Sequence, residues 1–100
     1  MRITVREQEA IRETAFEIFG DTSKVILFGS RADDAKKGGD IDLMIETEET
    51  SSNALSKKIP FLVKLKQKIG DRKIDVVIRA ADSGAQPIYK IARSEGVEVT

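Results

Sequence analysis

Two short apolar runs, Val25 to Phe28 and Ile41 to Ile45, lie on either side of a polar stretch, and this pairing constrains the fold more than any other feature. Each run reads as a short buried strand. The first ends in Gly29-Ser30, and the second opens with Asp40 and Asp42, one residue apart. Side chains alternate along a strand, so Asp40 and Asp42 project from one face. Two carboxylates that close repel each other, and a bound divalent cation removes the repulsion; hard oxygen donors suit Mg²⁺ or Mn²⁺. Gly29 lets backbone approach a ligand without a Cβ in the way. Ser30 can cap a following helix, and its N–H and hydroxyl can meet an anion. A phosphate on one side and a metal-binding pair on the other is the layout of phosphoryl-type transfer. The plain alternative is a strand, a polar loop and a strand with an acidic start, and a D-x-D pair alone does not decide between them.

The rest of the chain supplies a scaffold and a third carboxylate. Thr4 and Glu7 match the capping-box pattern. Ile11, Ala15, Ile18 and Phe19 follow at helical spacing, with Glu7, Glu9, Arg12, Glu13 and Glu17 on the other faces and Gly20 as a stop, which predicts a helix over 5–19. Residues 24–28 are the first strand. Residues 30–35 read as a short helix and 36–39 as a loop, with Arg31, Lys36 and Lys37 available to a polyphosphate or simply solvated. Residues 41–46 are the second strand. Leu55, Ile59, Leu62, Leu65 and Ile69 mark one helical face, with lysines elsewhere and Gly70-Asp71 at its end. Pro60 either kinks this helix or opens a shorter one. The lysines read as a solvated face; no aromatic residue is interleaved with them, which weakens a single-strand nucleic-acid role. Lys73 to Ile78 is the third strand, with Ile74, Val76 and Ile78 on one face and Asp75 and Val77 on the other. Aspartate is depleted from strands and costly to bury unpaired. Beside the second strand, Asp75 joins Asp40 and Asp42 around a metal; at a sheet edge it is an aspartate in water. Gln86-Pro87 begins a last helix with Ile88, Ile91 and Ala92 inward, Tyr89 half-buried in packing and Gly96 closing it. Val97 to Val99 is an extended tail suited to a sheet edge.

Composition narrows the chemistry. The chain has 100 residues, enough for a single domain over 1–100 with a modest core. Lysine plus arginine and aspartate plus glutamate are each 17, a balance that argues against a nucleic-acid coat or an anionic-membrane binder. There is no cysteine and no histidine. Thiol chemistry, disulfides and any histidine base or ligand are excluded, leaving carboxylates, hydroxyls, lysine, the single tyrosine or an oxygen-held metal. No signal or membrane-spanning segment is read, and a cytoplasmic location is the expectation.

Gly29-Ser30, then Asp40-Ile41-Asp42-Leu43, then Lys73-Ile74-Asp75-Val76-Val77 resembles the nucleotidyltransferase superfamily that includes DNA polymerase beta. The small size and the Gly-Ser-Arg-Ala form are similar to its minimal nucleotidyltransferase branch, the antitoxins paired with HEPN-domain toxins. The resemblance runs from the first helix to Gly96-Val97. It implies an α/β (α+β) fold, a small mixed sheet with helices packed on one face. It implies metal ligation by Asp40, Asp42 and Asp75, activation of the acceptor hydroxyl by Asp75, and phosphate binding by Gly29, Ser30 and Arg31. Asp33-Asp34 stand where many of these relatives have a glycine, and Gly39 where many have a serine; neither replaces a metal ligand.

The activity so implied is metal-dependent transfer of AMP from ATP, with Mg²⁺ or Mn²⁺, to a hydroxyl, expected to be a tyrosine of a HEPN-type partner toxin. So short a chain has little room for an acceptor domain, which favours a protein partner and an exposed apolar patch, expected near Phe61 or on the last helix. Two rivals stand beside it: a toxin-binding module without catalysis, and a nucleotidyltransferase subunit acting on a small molecule. Homo- and hetero-oligomers are both open, and nucleic acid and membrane are not expected partners.

Overall fold

Thr4 and Glu7 begin the first helix by capping each other. The Thr4 hydroxyl accepts from the Glu7 N–H at 3.0 Å, and Glu7 Oε1 accepts from the Thr4 N–H at 2.9 Å. From this box, α1 runs over Val5–Phe19 and stops at Gly20 in the computed structural model, which describes residues 3–29 and 41–99. Ile11, Ala15 and Phe19 are buried as the periodicity predicts. Glu7 is not on a solvent face. It is buried, and its second oxygen, Oε2, accepts from Arg72 Nη1.

The strands follow as β1 (Lys24–Phe28), β2 (Ile41–Glu46) and β3 (Ile74–Arg79), with β4 (Val97–Glu98) formed by the tail. They make a mixed sheet in the order β3-β2-β1-β4. β1 pairs antiparallel with β2 and with β4, and β2 pairs parallel with β3. A parallel pair needs a long crossover, and α2 (Ser51–Ile69) provides it. The expected short helix over 30–35 and loop over 36–39 lie outside the described residues.

Alternation along the strands divides the sheet into two faces. Val25 and Leu27, Ile41, Leu43 and Ile45, and Ile74 and Val76 face α1 and α2, where Phe19 and Phe61 meet with ring centroids 5.8 Å apart. Ile26, Met44 and Val77 face the other way and are covered by Tyr89, Ala92 and Ile88 of α3 (Pro87–Glu95). The fold class is the expected one, a small α+β domain fold with a mixed sheet, but α3 packs on the face opposite α1 and α2. Tyr89 is more buried than the sequence suggested, its hydroxyl donating to Ile78 O at 3.2 Å, while Ile91 points outward.

α2 also departs from its expected face. It begins at the Thr50 cap, and Asp82 Oδ1 accepts from both the Ser51 N–H and the Ser51 hydroxyl at 2.7 Å. So supported, the helix starts well before Pro60, which sits in its interior, a position that ordinarily costs about 3 kcal/mol. Its buried residues are Ala54, Phe61 and Leu65, with Leu62 and Ile69 partly covered. Leu55 and Ile59, expected inside, are exposed. No helix among the described residues is long and apolar enough to cross a membrane.

Candidate active site

The two described carboxylates of the motif meet through strand register. Asp42 of β2 stands beside Asp75 of β3 in the parallel pair, and beside Phe28 of β1 in the antiparallel pair. Strand spacing is about 4.8 Å, so neighbours in register carry side chains on the same face. Met44 and Val77, two residues further on, belong to the cluster under α3. Asp42 and Asp75 therefore project from the α3 side of the sheet, beyond the end that α3 covers. Asp42 is half-buried, and Asp75 is exposed on the edge strand.

Gly29 completes the described part of the site. Its φ is +74°, in the left-handed region that favours glycine. A Cβ there would run into the Asp42 carboxylate, with Asp42 Cγ at 3.2 Å. The β1 terminus and the Asp42 side chain thus share a space that any larger residue would fill. Gly29 leads directly into Ser30. Ser30, Arg31 and Asp40 lie outside the described residues.

Supports behind the row hold β3 in place. The Ile41 N–H donates to Lys73 O at 3.0 Å, one residue before Asp42 and two before Asp75. Arg72, next in the chain, is tied to buried Glu7 of α1. The capping box already marks Glu7 in the sequence, but nothing local signals its partner 65 residues away. The opposite end of the same face is occupied differently. There Glu46 accepts from Arg79 at 3.2 Å and pairs with Arg93 at 3.5 Å, and Arg79 lies 5.6 Å from the Tyr89 ring centre. A groove of about 380 Å³ along Arg79, Tyr89, Lys90 and Arg93 contains neither aspartate.

Two like-charged oxygen donors side by side are a donor set that fits a hard divalent cation. Among the described residues no group of three or more acidic side chains gathers to hold a metal, so this part of the fold offers the pair alone. Fold and row together define a class: a mixed sheet with carboxylates at the mouth of a parallel strand pair and a glycine turn beside them. The family model for the nucleotidyltransferase domain matches residues 8–98. The chain belongs to that family, within the superfamily that the motif resembles, and its activity is nucleotidyl transfer in the broad sense. A search of curated proteins finds no match to the chain.

Proposed function

We propose that the chain transfers AMP from ATP to a hydroxyl of a protein partner, a tyrosine of a HEPN-type toxin, and acts as that toxin's antitoxin. The observation carrying this reading is the in-register pair Asp42 and Asp75 beside Gly29. Asp40, Asp42 and Asp75 would hold Mg²⁺ or Mn²⁺. When bound, the cation neutralises the triphosphate and stabilises the in-line displacement. Gly29, Ser30 and Arg31 would hold the phosphates. Asp75, exposed at the sheet edge, receives the proton of the acceptor hydroxyl as its oxygen attacks the α-phosphorus. Pyrophosphate leaves with the displaced electron pair. The remaining contribution of the protein is positioning.

The test is coexpression with a HEPN-type partner followed by intact-mass analysis of that partner. The expected result is a mass increase of one AMP on a tyrosine, absent with Asp42→Asn. A partner that is bound and neutralised without modification, by wild type and variant alike, refutes transfer and leaves a binding module. Labelling of a small-molecule acceptor with no partner present would move the acceptor to that class.

A further inference from the structure

We infer that the outward face of α2 is a docking surface for a protein segment whose apolar side chains are flanked by carboxylates. Leu55, Ile59 and Val63 are 58%, 64% and 51% exposed. They recur every fourth residue, so they stack into one stripe along the helix, on the side away from Phe61 and Leu65. Single exposed apolar residues are ordinary, whereas a contiguous stripe marks an interaction surface.

The charges around the stripe say what covers it. Ser51–Ile69 contains five lysines and no acidic residue. Lys57, Lys64 and Lys68 are engaged by Glu49 and Glu17. Lys58, next to Ile59, and Lys66, one turn beyond Val63, have no ion-pair partner among the described residues. Among the described residues of α2, the charges flanking the stripe are therefore lysines alone. Two copies meeting through this face would set lysine against lysine, which disfavours a symmetric dimer. The stripe holds three aliphatic residues and no aromatic anchor, and the chain has a net charge of zero, which disfavours an anionic membrane. A partner segment with leucines on one face and glutamates beside them matches both features.

This surface lies on the α1 and α2 side of the sheet, whereas Asp42 and Asp75 lie on the other. Docking here leaves the carboxylates uncovered, so the inference does not rest on the proposed reaction.

The experiment is an amide-shift titration of the ¹⁵N-labelled full chain with two synthetic helical peptides. Both carry leucines at four-residue spacing; one is flanked by glutamate and the other by lysine. The expected result is saturable shifts at Leu55, Ile59, Val63 and Lys66 with the glutamate peptide alone, weakened at least tenfold by Ile59→Asp. Lys66→Glu, a surface change, is expected to weaken binding as well, which guards against misfolding of the first variant. The inference is overturned by equal binding of both peptides, or by no shift on α2. It is equally overturned if phosphatidylglycerol vesicles, rather than the peptide, shift these amides, or if the free chain self-associates in sedimentation and Ile59→Asp abolishes the association.

Discussion

Gly29 at the end of β1 lies directly against the carboxylate of Asp42 on β2, so the backbone turn and a candidate metal ligand share one space. The positive φ of Gly29 and the absence of a Cβ are both needed for this contact. Gly29→Ala has two consequences. The left-handed backbone becomes unfavourable by about 1 kcal/mol, and the Asp42 side chain is pushed from its position beside Asp75. The expected outcome is a modest drop in Tm with a loss of at least tenfold in Mg²⁺-dependent ATP affinity by calorimetry. Unchanged affinity in a folded variant would separate Gly29 from the site.

Asp42 and Asp75 in register predict how stability responds to metal. Like charges on neighbouring strands repel, and a divalent cation bound only to the folded chain stabilises it by mass action, about 1.4 kcal/mol at ten times Kd. Mg²⁺ or Mn²⁺ is expected to raise the Tm of the wild type. Asp75→Asn, at an exposed edge position, is expected to keep or slightly raise the metal-free Tm and to lose the metal-induced rise. A metal-induced rise equal in both proteins would place the cation elsewhere.

How much of this was legible in the sequence depends on the distance over which each feature is set. The capping box, the bounds of β1 and β2 and the facing of Asp75 follow from local patterns, and the structure has them where the pattern puts them, while β3 runs one residue later than expected, over Ile74–Arg79. The alignment of Asp42 with Asp75 rests on how β2 and β3 slide past each other, a long-range register that neither strand's own pattern states. α2 misled for a different reason. Apolar residues occupy more than half of its circumference, so the face through Leu55 and Ile59 and the face through Ala54, Phe61 and Leu65 both satisfy helical spacing. Packing against Phe19 selects the second, because Phe61 fills the core there. Tyr89 and Ile91 are exchanged for a similar reason, since α3 turns its tyrosine toward Ile78 O.

The pair formed by Glu7 and Arg72 predicts a coupling between α1 and the start of β3. Glu7 is nearly buried, with 12% of its side chain exposed, and Arg72 is 32% exposed. Removing one partner from a partly buried pair leaves the other charge poorly solvated, at a cost of about 2 kcal/mol, between the exposed and fully buried limits. Glu7→Gln and Arg72→Met are each expected to lower denaturant stability by about that amount. The double variant is expected to lose less than the sum of the two. Additive losses in that cycle would show that the two side chains act independently.

Acid sensitivity follows from Asp82 and Glu17. The Ser51 hydroxyl and then the Ser51 N–H hold Asp82 below its ordinary value of 3.8. Hydrogen bonds from Lys64 and then Lys68, with the charge of both lysines, hold Glu17 below 4.5. A carboxyl with a depressed pKa in the folded chain binds its proton more weakly there than when unfolded. Its stabilising contribution is therefore complete above the ordinary value and disappears as pH falls through the lower, folded one. Both groups are at the surface, so each effect is small. Stability is expected to be flat on their account above about pH 5 and to decline below pH 4. In Asp82→Asn the start of α2 keeps a weaker acceptor that does not titrate, so its stability is expected to be lower than wild type near neutrality and to converge toward it in acid. Urea melts of the two proteins at pH 7 and pH 3 measure the difference. A gap between them that widens on acidification would show that the Asp82 carboxylate does not stabilise the beginning of α2.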